Sequence, residues 1–342
     1  MLILEINPSE HETFDVVGMG NAIVDILSKC EDSLLEKFDL RKGAMHLIDA
    51  ERAQEIYEAL DEKTVASGGS VCNTIAGLAS LGLKTALIGK VANDALGESF
   101  TNEIRKGGTY FEGTPLEEAD PTSRCFVLVT PDAQRTMNTY LGAASFLAPE
   151  DVDETLIASS QYVFFEGYLW DREEAKNAFL KAVDIAHSKG GKVAFSMSDV
   201  FCVEGHRDAF LTMIKNKQID ILFGDFEEYK SLFEVDNMDD VLAAAKEHCG
   251  YAVITNGSEG ALAVIDGQVI DAVPAIKPEK LEDTTGAGDQ FAAGFLAGLC
   301  KNLAPNDCLK LGIICASEVI AHLGPRPQTD MVSFVKQHGI SL

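Results

Sequence analysis

The chain has 342 residues, 46% of them hydrophobic, and a formal net charge of −26. That is enough apolar material for a full core, which argues against disorder, and the length fits two domains or one large α/β unit with an appendage. So acidic a surface repels nucleic acid and anionic membrane, which removes both as partners, but a local pocket can still oppose the global field and admit a small anion.

The first residues, "MLILEINPSEHETF", carry no basic segment and only a four-residue apolar start, so they are not read as a signal peptide. No apolar run approaches the ~20 residues of a membrane span, and a cytoplasmic location is expected. "FDVVGMG" (Phe14–Gly20) reads as a buried strand, and the "GNAIVDI" that follows supplies Asn21 and Asp25 at a turn. "RKGAMHLID" (Arg41–Asp49) is a short isolated strand candidate. "SGGSVCNTIAGLASLG" places Gly68, Gly69 and Asn73 at a strand-to-helix turn, with a helix from Ser70 that stops at glycine. "TALIGKV" and "DALGESFTNEIRKGG" read as strand and helix. "SRCFVLVTPDAQRTMNTYL" (Ser123–Leu141) looks like two strands around a turn at Pro131-Asp132. After it, "YVFFEG", "KVAFSM", "IDILFG" and "YAVITNG" alternate with "DREEAKNAFLKAVDIAHSKGG" and "DDVLAAAKEHCG". Short apolar strands separated by glycine-stopped helices indicate βαβ units and a mostly parallel sheet. The antiparallel signals inside this pattern indicate a small sheet standing off the main body as a lid; the alternative is extra edge strands of the main sheet. The eight cysteines, at 30, 72, 125, 202, 249, 300, 308 and 315, form no CxxC pair and are read as reduced core thiols.

The densest chemistry lies in "DTTGAGDQF", Asp283–Phe291. Gly286 and Gly288 let the backbone approach a ligand and aim successive N–H groups one way, and the following helix adds its free donors and positive dipole end. Asp289, in the first turn, is expected to stay ionised and to accept a proton from a hydroxyl attacking a phosphoryl group held by those donors. The plainer reading makes Asp289 a helix-start residue. No GxxxxGK[ST] frame is present, and "GMGNAI" lacks the third small residue of a dinucleotide fingerprint. Asn21, Asp25, Gly68, Gly69 and Asn73 come from turns at the carboxyl edge of a parallel sheet, and suit the vicinal hydroxyls of a sugar or ribose; ordinary turn chemistry is the alternative.

"DTTGAGDQFAAGFLAGL" closely resembles the C-terminal signature of the PfkB, or ribokinase-like, carbohydrate kinase family, and "SGGSVCNTIAGLASLG" with "ALIGKVANDALGESF" resembles its N-terminal signature. The resemblance runs from about Phe14 to about Asp330, and "GMGNAIVDI" and "LRKGAMHLIDAE" are most similar to adenosine kinases and their bacterial relatives. It implies a single ribokinase-like, three-layer α/β domain over 1–342 with a β-sheet lid formed by insertions at about 26–50 and 108–145, and ATP and Mg²⁺ as cofactors. Asp289 matches the catalytic base, Gly286, Ala287 and Gly288 the anion hole, and Asp25, Gly69 and Asn73 the hydroxyl-binding residues, with Asn21 close by. Arg135 resembles a lid arginine that reaches the phosphates. "TNGSEGA", with Thr255, Gly257 and Gly260, resembles the nucleotide-binding turn, and Cys315, Ala316 and Ile320 would border the adenine. Asp283 and Thr285, with backbone near Gly324, fall where some members bind K⁺. The family's usual Asn-x-x-Glu reads here as Asp225 to Glu228, so an extra carboxylate stands where Mg²⁺ and phosphates are handled.

The resemblance makes adenosine the expected acceptor, with Tyr168, Leu169 or Trp170 packing on the purine and Met45, His46 and Met137 closing over it. A ribokinase- or fructokinase-type sugar kinase uses the same hydroxyl clamp; a sugar acid would want basic residues, for which the lid offers only Arg124 and Arg135. A nucleoside sensor without catalysis is the remaining alternative. Either a monomer or a homodimer is compatible with the pattern.

Overall fold

The computed structural model describes residues 13–117, 120–132 and 134–342; the opening stretch, residues 1–14, falls largely outside them. The strands, in chain order, are β1 (Phe14–Met19), β2 (Ile23–Lys29), β3 (Met45–Leu47), β4 (Thr64–Gly68), β5 (Thr85–Ile88), β6 (Thr109–Tyr110), β7 (Ser123–Val129), β8 (Arg135–Tyr140), β9 (Ser160–Glu166), β10 (Lys192–Ser196), β11 (Ile221–Asp225), β12 (Tyr251–Thr255), β13 (Ala261–Ile265) and β14 (Gln268–Val273). The helices are α1 (Asp32–Lys37), α2 (Ala50–Ala59), α3 (Ser70–Ser80), α4 (Ala95–Lys106), α5 (Glu154–Ala158), α6 (Glu173–Ser188), α7 (Val200–Lys215), α8 (Phe226–Phe233), α9 (Met238–His248), α10 (Ala287–Cys300), α11 (Pro305–Val319) and α12 (Met331–Gln337).

Nine strands form the central sheet in the order β14-β13-β12-β11-β10-β9-β1-β5-β6. The pairs from β12 through β6 are parallel, and β13 and β14 close one edge as an antiparallel meander. The inner strands are apolar on both faces because helices cover both. In β9, Phe164 packs into the layer that contains α3, α10 and α11, while Val163 and Phe165 pack into the layer of α6 and α7. The connections diverge on either side of β1, so the crevice at its carboxyl end is where a ligand is expected to bind.

The second sheet has the order β3-β8-β7-β2-β4. The expected hairpin is there, β7 running antiparallel to β8. Two details differ from the sequence reading. Residues 23–29 are not a turn after β1 but strand β2, paired to β4 and β7. Thr64–Gly68, which carried no strand signal because it is short and half exposed, forms the other edge. Period-two alternation then gives the sheet two unlike faces. Val24, Ile26, Phe126 and Leu128 join the main core. Leu27, Cys125 and Val127 form a separate cluster with Ile23, Val129 and Met137, on the face that carries Asp25. Arg124 pairs with Val24 and so points away from that face, its guanidinium lying 5.7 Å from the Tyr140 ring. All eight cysteines are free thiols, five of them buried.

Candidate active site

The loop before α10 and the helix itself place Asp289. Gly286 caps the helix with φ 77°, and a Cβ there would stand 2.6 Å from Pro325, so only glycine suits this left-handed, crowded corner. Beyond it Gly288 faces open space. Of the three backbone donors expected here, Ala287 N–H already lies 3.3 Å from the Thr284 carbonyl. Asp289 accepts hydrogen bonds from the Ser70 hydroxyl at 2.7 Å and the Asn73 amide at 3.0 Å. Burial raises its pKa to about 6, against the pull of Ser70, Asn73 and Arg326. Desolvation thus outweighs the helix terminus that the sequence reading relied on, though the group is still ionised at neutral pH.

Gly288 and Asp289 line a cavity of about 320 Å³ together with Asp225, Glu228, Thr255 and Gly257. Asp225 and Thr255 are register partners at the ends of adjacent parallel strands. Asp225 caps α8 and accepts from Glu228 N–H at 2.8 Å, while the Glu228 carboxylate accepts from Asp225 N–H at 2.9 Å. Burial first, then the Asp225 charge, raises Glu228 to about 8. A cation entering this cavity would therefore be matched by one or two carboxylates of hard oxygen character. Among the described residues no group of three or more metal-ligating side chains exists, so a divalent ion would have to complete its shell with phosphate and water. A larger cavity, about 450 Å³, opens at the opposite edge of the sheet among Tyr162, Lys192 and Tyr251, away from all of these groups.

Asp25 approaches from β2. It is 7% exposed, and among the described residues no donor reaches its carboxylate. Burial raises it to about 7, Arg326 opposes this, and Asp289, Glu103 and Asp283 add to it. A Cβ on Gly68 would lie 2.2 Å from Asp25 Oδ2, and one on Gly69, where φ is 97°, would lie 2.2 Å from the Asn21 carbonyl. Both glycines are therefore required by close approach. Asn73 stands between the two carboxylates, donating to Asp289 and accepting from Arg326 Nε at 3.4 Å.

Several expected residues sit elsewhere. Asn21 is turned inward and donates to Glu166, from its amide at 2.7 Å and its backbone at 2.9 Å. Tyr168 donates to Asp199 at 2.7 Å, and nothing brings it to Asp25. Leu169 and Trp170 are buried in the layer of α6 and α7, Trp170 edge-on to Phe179 and Phe210, so neither is a slot for a base. Cys315 is fully buried in the main core and does not line the cavity. Gly260 is required by packing, since a Cβ would meet the Val273 carbonyl at 1.9 Å. Arg135 pairs with Asp283 and donates to Thr284 at 2.6 Å, which joins the second sheet to the loop before α10. Asp283 also accepts from Thr285 N–H at 2.8 Å and Gly324 N–H at 3.0 Å. Burial disfavours its charge, but these donors and Arg135 hold its pKa below the usual value. At the place expected for K⁺ the Asp283 carboxylate is thus taken up by Arg135 and two backbone N–H groups, while the Thr285 hydroxyl is buried with no partner among the described residues.

Three groups escaped the sequence reading. Glu166 ends β9 at 1% exposure; it accepts both Asn21 bonds and Val71 N–H at 2.9 Å, and so fastens the β1–β2 crossover to the start of α3. Burial raises it to about 7. Gln290 is fully buried and donates to the Asn73 and Pro325 carbonyls, at 2.9 and 3.1 Å. Arg326 enters from the segment after α11. "FFEG" gave a hint of the first, a charge ending an apolar strand; nothing local marks the other two.

Residues 43–330 match the pfkB family carbohydrate kinase description. Adenosine kinase from Sinorhizobium meliloti superposes with a TM-score of 0.91 at 43% identity, covering 96% of this chain and 100% of that one. Adenosine kinase from Saccharomyces cerevisiae is 25% identical over 95% of this chain and 100% of its own length. A 5-dehydro-2-deoxygluconokinase from Geobacillus kaustophilus is 26% identical over 79% of this chain and 84% of its own.

Proposed function

The chain belongs to the pfkB family of carbohydrate kinases and is a phosphotransferase, and we propose that its acceptor is adenosine, phosphorylated at the 5′-hydroxyl by ATP. The observation that carries this reading is the face of the second sheet beside α10. There a buried carboxylate without a protein donor, Asp25, shares a surface with Ile23, Leu27, Cys125, Val127 and Met137. Asp25 suits the protons of vicinal hydroxyls, and the apolar strip suits a flat, poorly hydrated ring attached to them. A free sugar would leave that strip without a partner. The names of the relatives at 43% and 25% identity support the same acceptor.

In this mechanism the acceptor hydroxyl lies between Asp289 and the terminal phosphate of the donor. Asp289 Oδ2 or Oδ1 takes the proton as the new P–O bond forms and the bond from the terminal phosphorus to the bridging oxygen breaks, with ADP leaving, and Ser70 and Asn73 fix the carboxylate's plane. Backbone donors at Gly288 and Asp289, at the start of α10, stabilise charge on the transferred group. Thr255 and Gly257, which line the cavity beside Asp289, would border the nucleotide. Asp225 and Glu228 would hold a divalent ion through phosphate and water, and such an ion, when bound, neutralises phosphate charge. Arg135, the first residue of β8 beside the hairpin tip, keeps the second sheet against the anion-binding loop so that water is excluded.

A second reading, a sugar-acid kinase, is favoured by Arg326 in the acceptor site and by the Geobacillus kaustophilus relative. The test is ATP consumption with Mg²⁺ over adenosine, inosine, guanosine, ribose, fructose, 2-keto-3-deoxygluconate and 5-dehydro-2-deoxygluconate, with Asp289→Asn as the blank. Turnover on adenosine is expected. Turnover on a sugar acid and none on any nucleoside would refute it.

A further inference from the structure

We propose that Arg326 binds the phosphoryl acceptor directly, as the donating half of a vicinal-hydroxyl clamp whose accepting half is Asp25. The proposal rests on the acceptor reading above and names the residue that makes the acceptor site selective. A hydroxyl both donates and accepts, so a clamp built from Asp25 alone satisfies only its proton. Arg326 supplies the missing donor. Its Nε donates to the Asn73 side-chain Oδ1 at 3.4 Å, and Nη1 lies 3.8 Å from Glu103. Nη2 is buried with no partner among the described residues. An unpaired guanidinium N–H inside a polar crevice is costly unless a ligand completes it.

The backbone around Arg326 is fixed as a binding residue requires. Gly324 N–H is held by Asp283 and the Pro325 carbonyl by Gln290. Gln328 and Thr329 N–H groups are held by the Glu318 carboxylate at 3.0 and 3.1 Å. Neither the ends nor the middle of the segment can drift without breaking these bonds. The guanidinium is thereby placed among Asp25 of β2, Cys72 of α3, Glu103 of α4 and Asp289 of α10. Its charge opposes the burial that raises Asp25 and Asp289. Glu166, Asp283 and Glu103 are the other carboxylates acting on this group of charges.

The experiment compares adenosine with 2′-deoxyadenosine and 3′-deoxyadenosine in wild type, Arg326→Met and Arg326→Lys. Wild type should prefer adenosine to at least one deoxy analogue by about 10- to 100-fold in kcat/KM, the range of one hydrogen bond to a charged group. Arg326→Met should cut that ratio at least about threefold, leaving the part that Asp25 reads, through the acceptor KM, with the KM for ATP little changed. It should also move the acid limb of kcat/KM to higher pH, because the opposing charge is gone. Arg326→Lys should keep the limb but not the discrimination, since a point charge does not reproduce the planar fork. Where Arg326→Met melts early, adenosine binding to Arg326→Lys by calorimetry carries the test. An unchanged discrimination ratio in folded Arg326→Met overturns the proposal. So does a loss confined to a sugar acid, which would make Arg326 a reader of carboxylate. If wild type prefers ribose to every nucleoside, the acceptor reading fails separately, and ribose against 2-deoxyribose then tests the arginine by the same ratio.

Discussion

Replacing Asp289 by Asn separates catalysis from stability in opposite directions. The side chains are isosteric, and the Ser70 hydroxyl can rotate from donor to acceptor, so the amide can donate to Ser70 while its oxygen keeps the Asn73 bond. The fold therefore loses little. At pH 8 the native carboxylate is charged in a site that raises its pKa from 3.8 to about 6. A shift of roughly 2 units corresponds to about 3 kcal/mol at 1.36 kcal/mol per unit. Asp289 is only partly enclosed, and solvent screening reduces the figure to about 1–3 kcal/mol. The ligand-free Asp289→Asn protein should thus melt a few degrees higher than wild type at pH 8. The difference should shrink to about half near pH 5, where the native Asp289 is protonated but the unfolded one is not, and fade only below about pH 4. Turnover should fall by 10²–10⁴ or more, because the proton acceptor is gone. Differential scanning calorimetry at pH 8 and pH 5, with steady-state kinetics on the same preparation, reads both effects. Turnover near wild type refutes the assignment of the base. A lower Tm at pH 8 refutes the claim that burial of this charge strains the ligand-free site.

Gly68→Ala should raise the acceptor KM at least tenfold with the KM for ATP within about twofold, because a methyl group 2.2 Å from Asp25 Oδ2 must displace that carboxylate; equal acceptor KM values in initial-rate assays would count against Asp25 as the hydroxyl reader. The pH profile of kcat/KM for the acceptor should fall on its acid side between pH 7 and pH 6, where Asp25 and then Asp289 take up protons; a limb below pH 5 would contradict both environments. Asp25, Glu166 and Glu228 all have native pKa values above those of the unfolded chain. The folded state holds the extra protons, so their stabilising contribution is complete below about pH 4 and is lost as pH rises through about 7 to 8. Tm of the ligand-free protein should accordingly rise on titration from pH 8 to pH 5.5, and a flat curve would disprove it. Glu166→Ala strands three buried N–H donors and should cost about 3 kcal/mol in urea unfolding; a loss below about 1 kcal/mol would show the clamp to be dispensable.

The central sheet was legible because its signal is local. Each inner parallel strand is a short apolar run, and several helices stop at a glycine, as at Gly82 and Gly190, both with positive φ. The loop before α10 was legible for the same reason: its chemistry is contiguous. Strand β2 was missed because its neighbours β4 and β7 lie about 40 and 100 residues away, and pairing at that distance leaves no mark on periodicity. Trp170 and Cys315 were read from their position at strand and helix ends, but burial is decided by the layer packed above them. Glu166 and Arg326 act on residues separated by 145 and 253 positions. Only the fold creates those meetings.

The shared core of the two sheets limits what can open. Val24, Ile26, Phe126 and Leu128 of the second sheet belong to the same apolar cluster as Phe291 and Phe295 of α10 and Ile75 of α3. A rigid swing of the whole second sheet would expose that cluster to water, at about 25 cal/mol per Å² of apolar surface. Ligand exchange therefore has a cheaper route through the tip of the hairpin. At its far end, near Pro131 and Asp132, the strands are tied down by the bonds of Arg135 and by Lys42 to Asp132 at 2.7 Å. Access would then be governed by a latch of a few charged contacts, sensitive to salt, while the roots of β2 and β7 exchange their amide hydrogens as slowly as α10 beneath them.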